Sequence, residues 1–227
     1  MIRVLIVDDD ATTREILRDY LASDSSFEVV GEASDGIVAA RQAAALLPDV
    51  ILMDMQMPIQ DGVSATKIIH TAHPEIGILG LSTFSTDRYV VDLIRAGASG
   101  YLVKDTLPKD IIAAIHAVVA GESVLSPEVT RHVLRGLESS KPTQVEPDAD
   151  LIEALSPKEL EVIELLAQGL SNREMAEQLF VTESTIKARF VKVMEKLGVR
   201  DRVQILVTAV ARGLITIAEN PQFSPRP

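Results

Sequence analysis

Four short apolar runs each end in a residue that can act on a phosphoryl group. Residues 4–7 run into Asp8-Asp9-Asp10, residues 50–53 into Asp54, residues 76–81 into Ser82 and Thr83, and residues 101–103 into Lys104. Carboxylates brought together repel one another, and a hard divalent cation is the natural compensation. Mg2+ suits such a site because it accepts a few oxygens, keeps its waters and favours phosphate. The Lys104 ammonium and the Ser82 hydroxyl can then hold phosphoryl oxygens while the Asp54 carboxylate attacks phosphorus, leaving an aspartyl phosphate. A single Asp at a strand end is ordinarily there because the following loop meets water. That explanation does not cover this whole set of residues, each at the right end.

The elements that must position them follow from the apolar pattern. Residues 4–7, 27–30, 50–53, 76–81 and 101–103 read as strands buried on both faces. Helical spacing occupies 12–21, 36–47, 62–69, 87–96 and 109–119. Strands alternating with helices imply a parallel α/β sandwich, whose ligands bind beyond the carboxyl ends of the strands. A dinucleotide fold would need G-x-G-x-x-G after the first strand, and none stands there. A haloacid-dehalogenase-like phosphatase is the alternative, since Asp8-Asp9-Asp10-Ala11-Thr12 resembles D-x-D-x-T, with Asp8 as nucleophile and Asp10 as acid/base. It leaves Asp54 idle and finds no later acidic pair after Lys104.

Leu5-Ile-Val-Asp-Asp-Asp10, Leu52-Met-Asp54-Met-Gln-Met-Pro58 with Asp61-Gly62, and Gly100-Tyr-Leu-Val-Lys104 resemble the receiver domain of bacterial two-component response regulators. The resemblance implies a five-stranded (βα)5, flavodoxin-like domain. In it Asp54 is the phospho-acceptor, Asp8 and Asp9 hold Mg2+ together with Asp54 and the Gln56 main-chain carbonyl, and Lys104 binds the phosphoryl group. Ser82 is the switch hydroxyl and Tyr101 the switch aromatic. The donor is a phosphohistidine on a cognate sensor histidine kinase. Of the adjacent Ser82 and Thr83 only one faces the site, because strand side chains alternate, and the motif register favours Ser82.

Composition points to two partners of different kinds. The 227-residue chain carries 22 Lys+Arg against 33 Asp+Glu, for a net charge of −11. Residues 1–125 hold nine basic residues against eighteen acidic, whereas residues 184–212 hold seven against two. The absence of Cys excludes disulfide scaffolds, thiolate zinc sites and cysteine catalysis, and suits a cytoplasmic protein. Scarce aromatics (4%, no Trp) argue against stacking platforms for single-stranded nucleic acid. No run approaches the ~20 apolar residues of a membrane span.

Ser126-Pro127-Glu128 opens a helix, and residues 139–150, rich in Ser, Pro, Asp and Thr, read as a flexible linker. Beyond it come four short helices. Ser156 with Glu159 and Ser171 with Glu174 form capping boxes, Thr182 caps a helix through Leu197, and 201–212 closes at Gly213. The second and third have helix-turn-helix geometry. In the third, Ile186, Phe190, Val193 and Leu197 mark the buried face. The opposite face offers Lys187, Ala188 and Val191 for bases in the major groove, while Arg189, Lys192, Lys196, Arg200 and Arg202 are placed to meet phosphates.

Leu155-Ser-Pro-Lys-Glu-Leu-Glu-Val-Ile-Glu-Leu-Leu-Ala-Gln-Gly169, Ser171-Asn-Arg-Glu-Met-Ala, Thr185-Ile-Lys and Lys196-Leu-Gly-Val-Arg-Asp-Arg202 are similar to the LuxR-type helix-turn-helix domain. Arg189-Phe190 stands where that family often has His then Val. The two halves together resemble a NarL/FixJ-class response regulator, with a receiver at 1–122, helix and linker at 123–150, a DNA-binding domain at 151–216 and a tail at 217–227. The resemblance implies a cytoplasmic transcription factor on double-stranded promoter DNA, a homodimer when phosphorylated and without a membrane partner. Its only chemistry is phosphotransfer to itself and its own dephosphorylation.

Overall fold

The computed structural model describes residues 1–82, 87–122 and 148–215, with 124, 125, 130, 133, 134, 136 and 137 between them. Thr83, residues 139–147 of the expected linker and the tail from 217 lie outside the described residues. Of the helix expected from Ser126, residues 130, 133, 134, 136 and 137 are described and are helical. Two compact units divide the chain, Met1–Leu125 with Val199–Gln204 and Ser126–Gly198 with Ile205–Pro227.

In the first unit, β1 (Ile2–Val7), β2 (Phe27–Ala33), β3 (Val50–Asp54), β4 (Gly77–Ser82) and β5 (Gly100–Val103) form one parallel sheet in the order β2-β1-β3-β4-β5. Alternate residues of the central strands enter different cores. Val4, Ile6, Leu52, Leu79 and Leu81 pack in one with Leu17, Leu21, Ile111 and Ile115. Leu5, Val7, Ile51, Met53 and Ile78 pack in the other with Ala39, Ala43, Ala65 and Ile69. Five helices cover the sheet: α1 (Ala11–Ala22), α2 (Gly36–Leu46), α3 (Gly62–Ala72), α4 (Asp87–Ala96) and α5 (Pro108–Val119). The strand order reverses between β1 and β3, and the loops leaving their carboxyl ends open a crevice there. Strand β2 runs on to Ala33, past the expected 27–30, because its outer residues are only half-buried and break the apolar run.

The second unit holds α6 (Ala149–Ala154), α7 (Pro157–Ala167), α8 (Asn172–Gln178), α9 (Glu183–Leu197) and most of α10 (Arg202–Ala211). Both capping boxes form, with the Ser156 amide donating to Glu159 and the Ser171 amide to Glu174, each at 2.7 Å. Gly198 ends α9 at φ 66°, a left-handed conformation that glycine adopts without penalty. Helix α6 corrects the linker expectation at its carboxyl end: Asp148 caps it through the Leu151 amide at 3.1 Å. Between α8 and α9, Phe180 takes a positive φ of 54° and is 95% exposed.

Candidate phosphoryl site and nucleic-acid interface

At the crevice the end of β1 supplies Asp8, the loop after it Asp9, the end of β3 Asp54 and the turn after β5 Lys104. Asp8 is fully buried and Asp54 is 3% exposed, whereas Asp9 faces solvent. A carboxylate oxygen from each of the three acids lies within 4.8 Å of the others. Lys104 Nζ sits 2.7 Å from Asp8 Oδ2 and 3.1 Å from Asp54 Oδ1, so one ammonium serves two buried carboxylates. Burial works against the Lys104 charge, but its bonds to both acids outweigh it and hold the ammonium above its ordinary pKa. For Asp54 the balance is reversed. Burial and the neighbouring Asp8 charge push its carboxyl up, and its share of Lys104 and the Gln56 amide do not compensate. Three carboxylates against one ammonium leave the cluster two positive charges short of balance, and its donors are all hard oxygens. That donor set fits Mg2+.

Ser82, at the end of β4, and Tyr101, in β5, are both buried. Asp10 lies outside the cluster. Its side chain caps α1, accepting from the Thr12 amide at 2.9 Å and the Thr13 hydroxyl at 3.3 Å. Its amide donates to Asp8 Oδ1 at 3.0 Å.

On α9 the buried stripe is Ile186, Phe190 and Val193, with Leu197 only half-buried. Lys187, Ala188, Val191 and Lys192 are exposed on the other side. The remaining cations expected at phosphates are placed differently. Arg189 lies 3.6 Å from Glu161, and Lys196 donates to the buried Glu159 at 2.6 Å. Burial alone would raise the Glu159 carboxyl, but Lys196 and the Ser156 amide hold it below the usual range. Arg200 is half-buried, and Arg202 is only 8% exposed. Both partners of the paired cations lie on α7, a tertiary neighbour that helical periodicity within α9 does not reveal.

Comparison with known proteins finds a family match for each of two stretches of the chain. Residues 4–116 match the response regulator receiver domain, and residues 153–209 match the luxR family of bacterial regulatory proteins. The transcriptional regulatory protein YxjL of Bacillus subtilis is 40% identical, over 94% of this chain and 97% of its own. The response regulator protein VraR of Staphylococcus aureus is 37% identical, over 94% of this chain and 99% of its own. The crystal structure of the response regulator ChrA, from a heme-sensing two-component system, is 36% identical with a TM-score of 0.50, covering 94% of this chain and 98% of that one.

Proposed function

We propose a working cycle that starts from family membership: the chain belongs to the response regulators that join a receiver domain to a LuxR-type DNA-binding domain. The phosphatase alternative falls with that membership, and Asp10 is engaged in capping α1, not positioned for acid–base work. In the cycle, an Asp54 carboxylate oxygen attacks the phosphorus of a phosphohistidine on a cognate sensor kinase. The P–N bond breaks, and the imidazole leaves with the electron pair and is protonated. Lys104 holds a phosphoryl oxygen, and Ser82 moves to meet another. Asp8, Asp9, Asp54 and the Gln56 carbonyl would hold Mg2+, which supplies charge neutralisation at the transferring group. The observation that carries the reading is the shared Lys104 between two buried carboxylates, a site that gains from a further cation.

The modification adds about −1.5 to −2 charges at Asp54. The altered receiver surface favours a homodimer, which presents two copies of α9 to promoter DNA in the cytoplasm. Beyond phosphotransfer to itself and its own dephosphorylation the chain turns over no substrate. Among the described residues no helix is long and apolar enough to cross a membrane.

Intact mass spectrometry after acetyl phosphate treatment tests the receiver chemistry. One phosphoryl group is expected on the wild-type chain with Mg2+, and none without Mg2+ or on Asp54→Asn. Uptake by Asp54→Asn equal to wild type would remove Asp54 as acceptor. On the DNA side, Lys187→Ala is expected to relax preference at one base position, at roughly 1–3 kcal/mol of discrimination. Lys192→Ala is expected to weaken all sequences alike and to lower the salt slope by about one. Selection of binding sites from random duplexes, followed by salt titrations, reads both. A uniform loss with Lys187→Ala would reassign it to the phosphates.

A further inference from the structure

We propose that Arg14 is a positioning residue for the cation site: it clamps the main chain of the Asp8-Asp9 loop against β2 and so sets the spacing of the acids. The inference rests on the reading of Asp8 and Asp9 as metal ligands and adds the residue that holds them in register. Arg14 Nη1 donates to the Asp8 carbonyl at 2.7 Å and reaches the Asp9 carbonyl at 3.4 Å. Its Nε donates to Glu32 Oε2 at 3.1 Å, and Glu32 is held from its other oxygen by Arg18 at 2.9 Å. The Arg14 side chain is only 17% exposed. The loop main chain is thus fixed from β2, while the Asp10 amide fixes the Asp8 carboxylate from within the loop.

Helix stability does not explain the position. Arg14 is the fourth residue of α1, near the end where the helix dipole disfavours a cation. Glu32 offsets that cost, and the planar guanidinium fork reaches the carboxylate and the carbonyls together, which a lysine cannot do. Mg2+ demands near-ideal octahedral geometry, so the spacing of main-chain-anchored ligands decides affinity. Loss of an outer partner of a metal ligand typically costs 10–100-fold in binding.

The test is a Mg2+ titration of the full-length, 15N-labelled protein at constant ionic strength, read from the amide shifts of residues 8–10, beside thermal unfolding of each variant. Arg14→Gln is expected to weaken Mg2+ about tenfold, and Arg14→Lys to recover part of the loss. A purely electrostatic role has the opposite sign, since deleting a nearby cation tightens Mg2+. Glu32→Gln, which releases the clamp at β2 and leaves the Arg14 charge in place, is expected to weaken Mg2+ as well. Unchanged or tighter binding in Arg14→Gln and Glu32→Gln overturns the clamp, as does lowered thermal stability with wild-type affinity. If the wild-type loop amides show no saturable response to Mg2+, the metal reading itself fails and takes the clamp with it.

Discussion

Gly62→Ala is expected to take up phosphate from acetyl phosphate roughly 100-fold more slowly than wild type, with the chain still folded. The cause is the close approach of two backbones. A Cβ on Gly62 would collide with the main-chain carbonyl oxygen of Asp54 and would stand 3.0 Å from the Met55 Cα. Neither neighbour is a flexible side-chain tip, so the backbone of the β3–α3 connection has to move. That backbone carries Asp54, and the Gly62 amide already donates to the Met55 carbonyl at 3.2 Å, which ties the first turn of α3 to the same strand end. Overpacking of this kind costs about 1–3 kcal/mol of stability. The larger effect is kinetic, because an ångström of misplacement at the attacking carboxylate is costly. Time courses of phosphorylation by intact mass, beside circular dichroism, measure the two effects separately. A wild-type rate in the variant would show that the strand end tolerates the shift and that Asp54 is not held by this approach.

Phe190→Ala is expected to unfold most of the DNA-binding unit at physiological temperature. Phe190 is 1% exposed at the centre of α9, between the buried Ile186 and Val193, in a unit whose elements among the described residues are helices. Truncating a buried Phe costs about 3–5 kcal/mol, and small domains command only about 5–15 kcal/mol in total. Val191→Ala, one residue along and on the exposed side, is expected to change stability by less than about 0.5 kcal/mol. Thermal unfolding of the two variants, with DNA binding measured in parallel, distinguishes the faces of the helix. Similar stabilities for Phe190→Ala and Val191→Ala would mean that the buried stripe has been assigned to the wrong face.

The sheet and its order of elements were legible because buried central strands make continuous apolar runs and the helices carry their own caps. Edge strand β2 is longer than its apolar run because Gly31 and Glu32 interrupt that run, although they pair with Leu5 and Ile6. Helix α6 leaves no apolar stripe in the sequence because none of its residues is buried. At the phosphoryl site, Asp8, Asp54 and Lys104 could be named from the ends of the runs. That one ammonium serves two carboxylates could not, since it depends on distances across three strands. The role of Arg14 is hidden for a similar reason. Its partners are two main-chain carbonyls and a glutamate eighteen residues away, and its one local signal is a cation in the first turns of a helix. Periodicity within α9 does not separate the exposed Lys187 and Lys192 from Arg189 and Lys196, which meet glutamates of α7.

The division of the central strands between two cores carries a consequence for how such a chain can diverge. Each side of the sheet is a separate packing problem, so a substitution in one layer needs compensation only from neighbours in that layer. Insertion or deletion of a single residue within β1 or β3 is different in kind. It would exchange the two sets of side chains wholesale and turn Asp8 or Asp54 away from the crevice. The residues of these strands can therefore be exchanged one layer at a time, whereas their lengths cannot change without loss of the site. Tolerance of substitution and intolerance of insertion would then share one cause, the wall of backbone between the two interiors of this receiver.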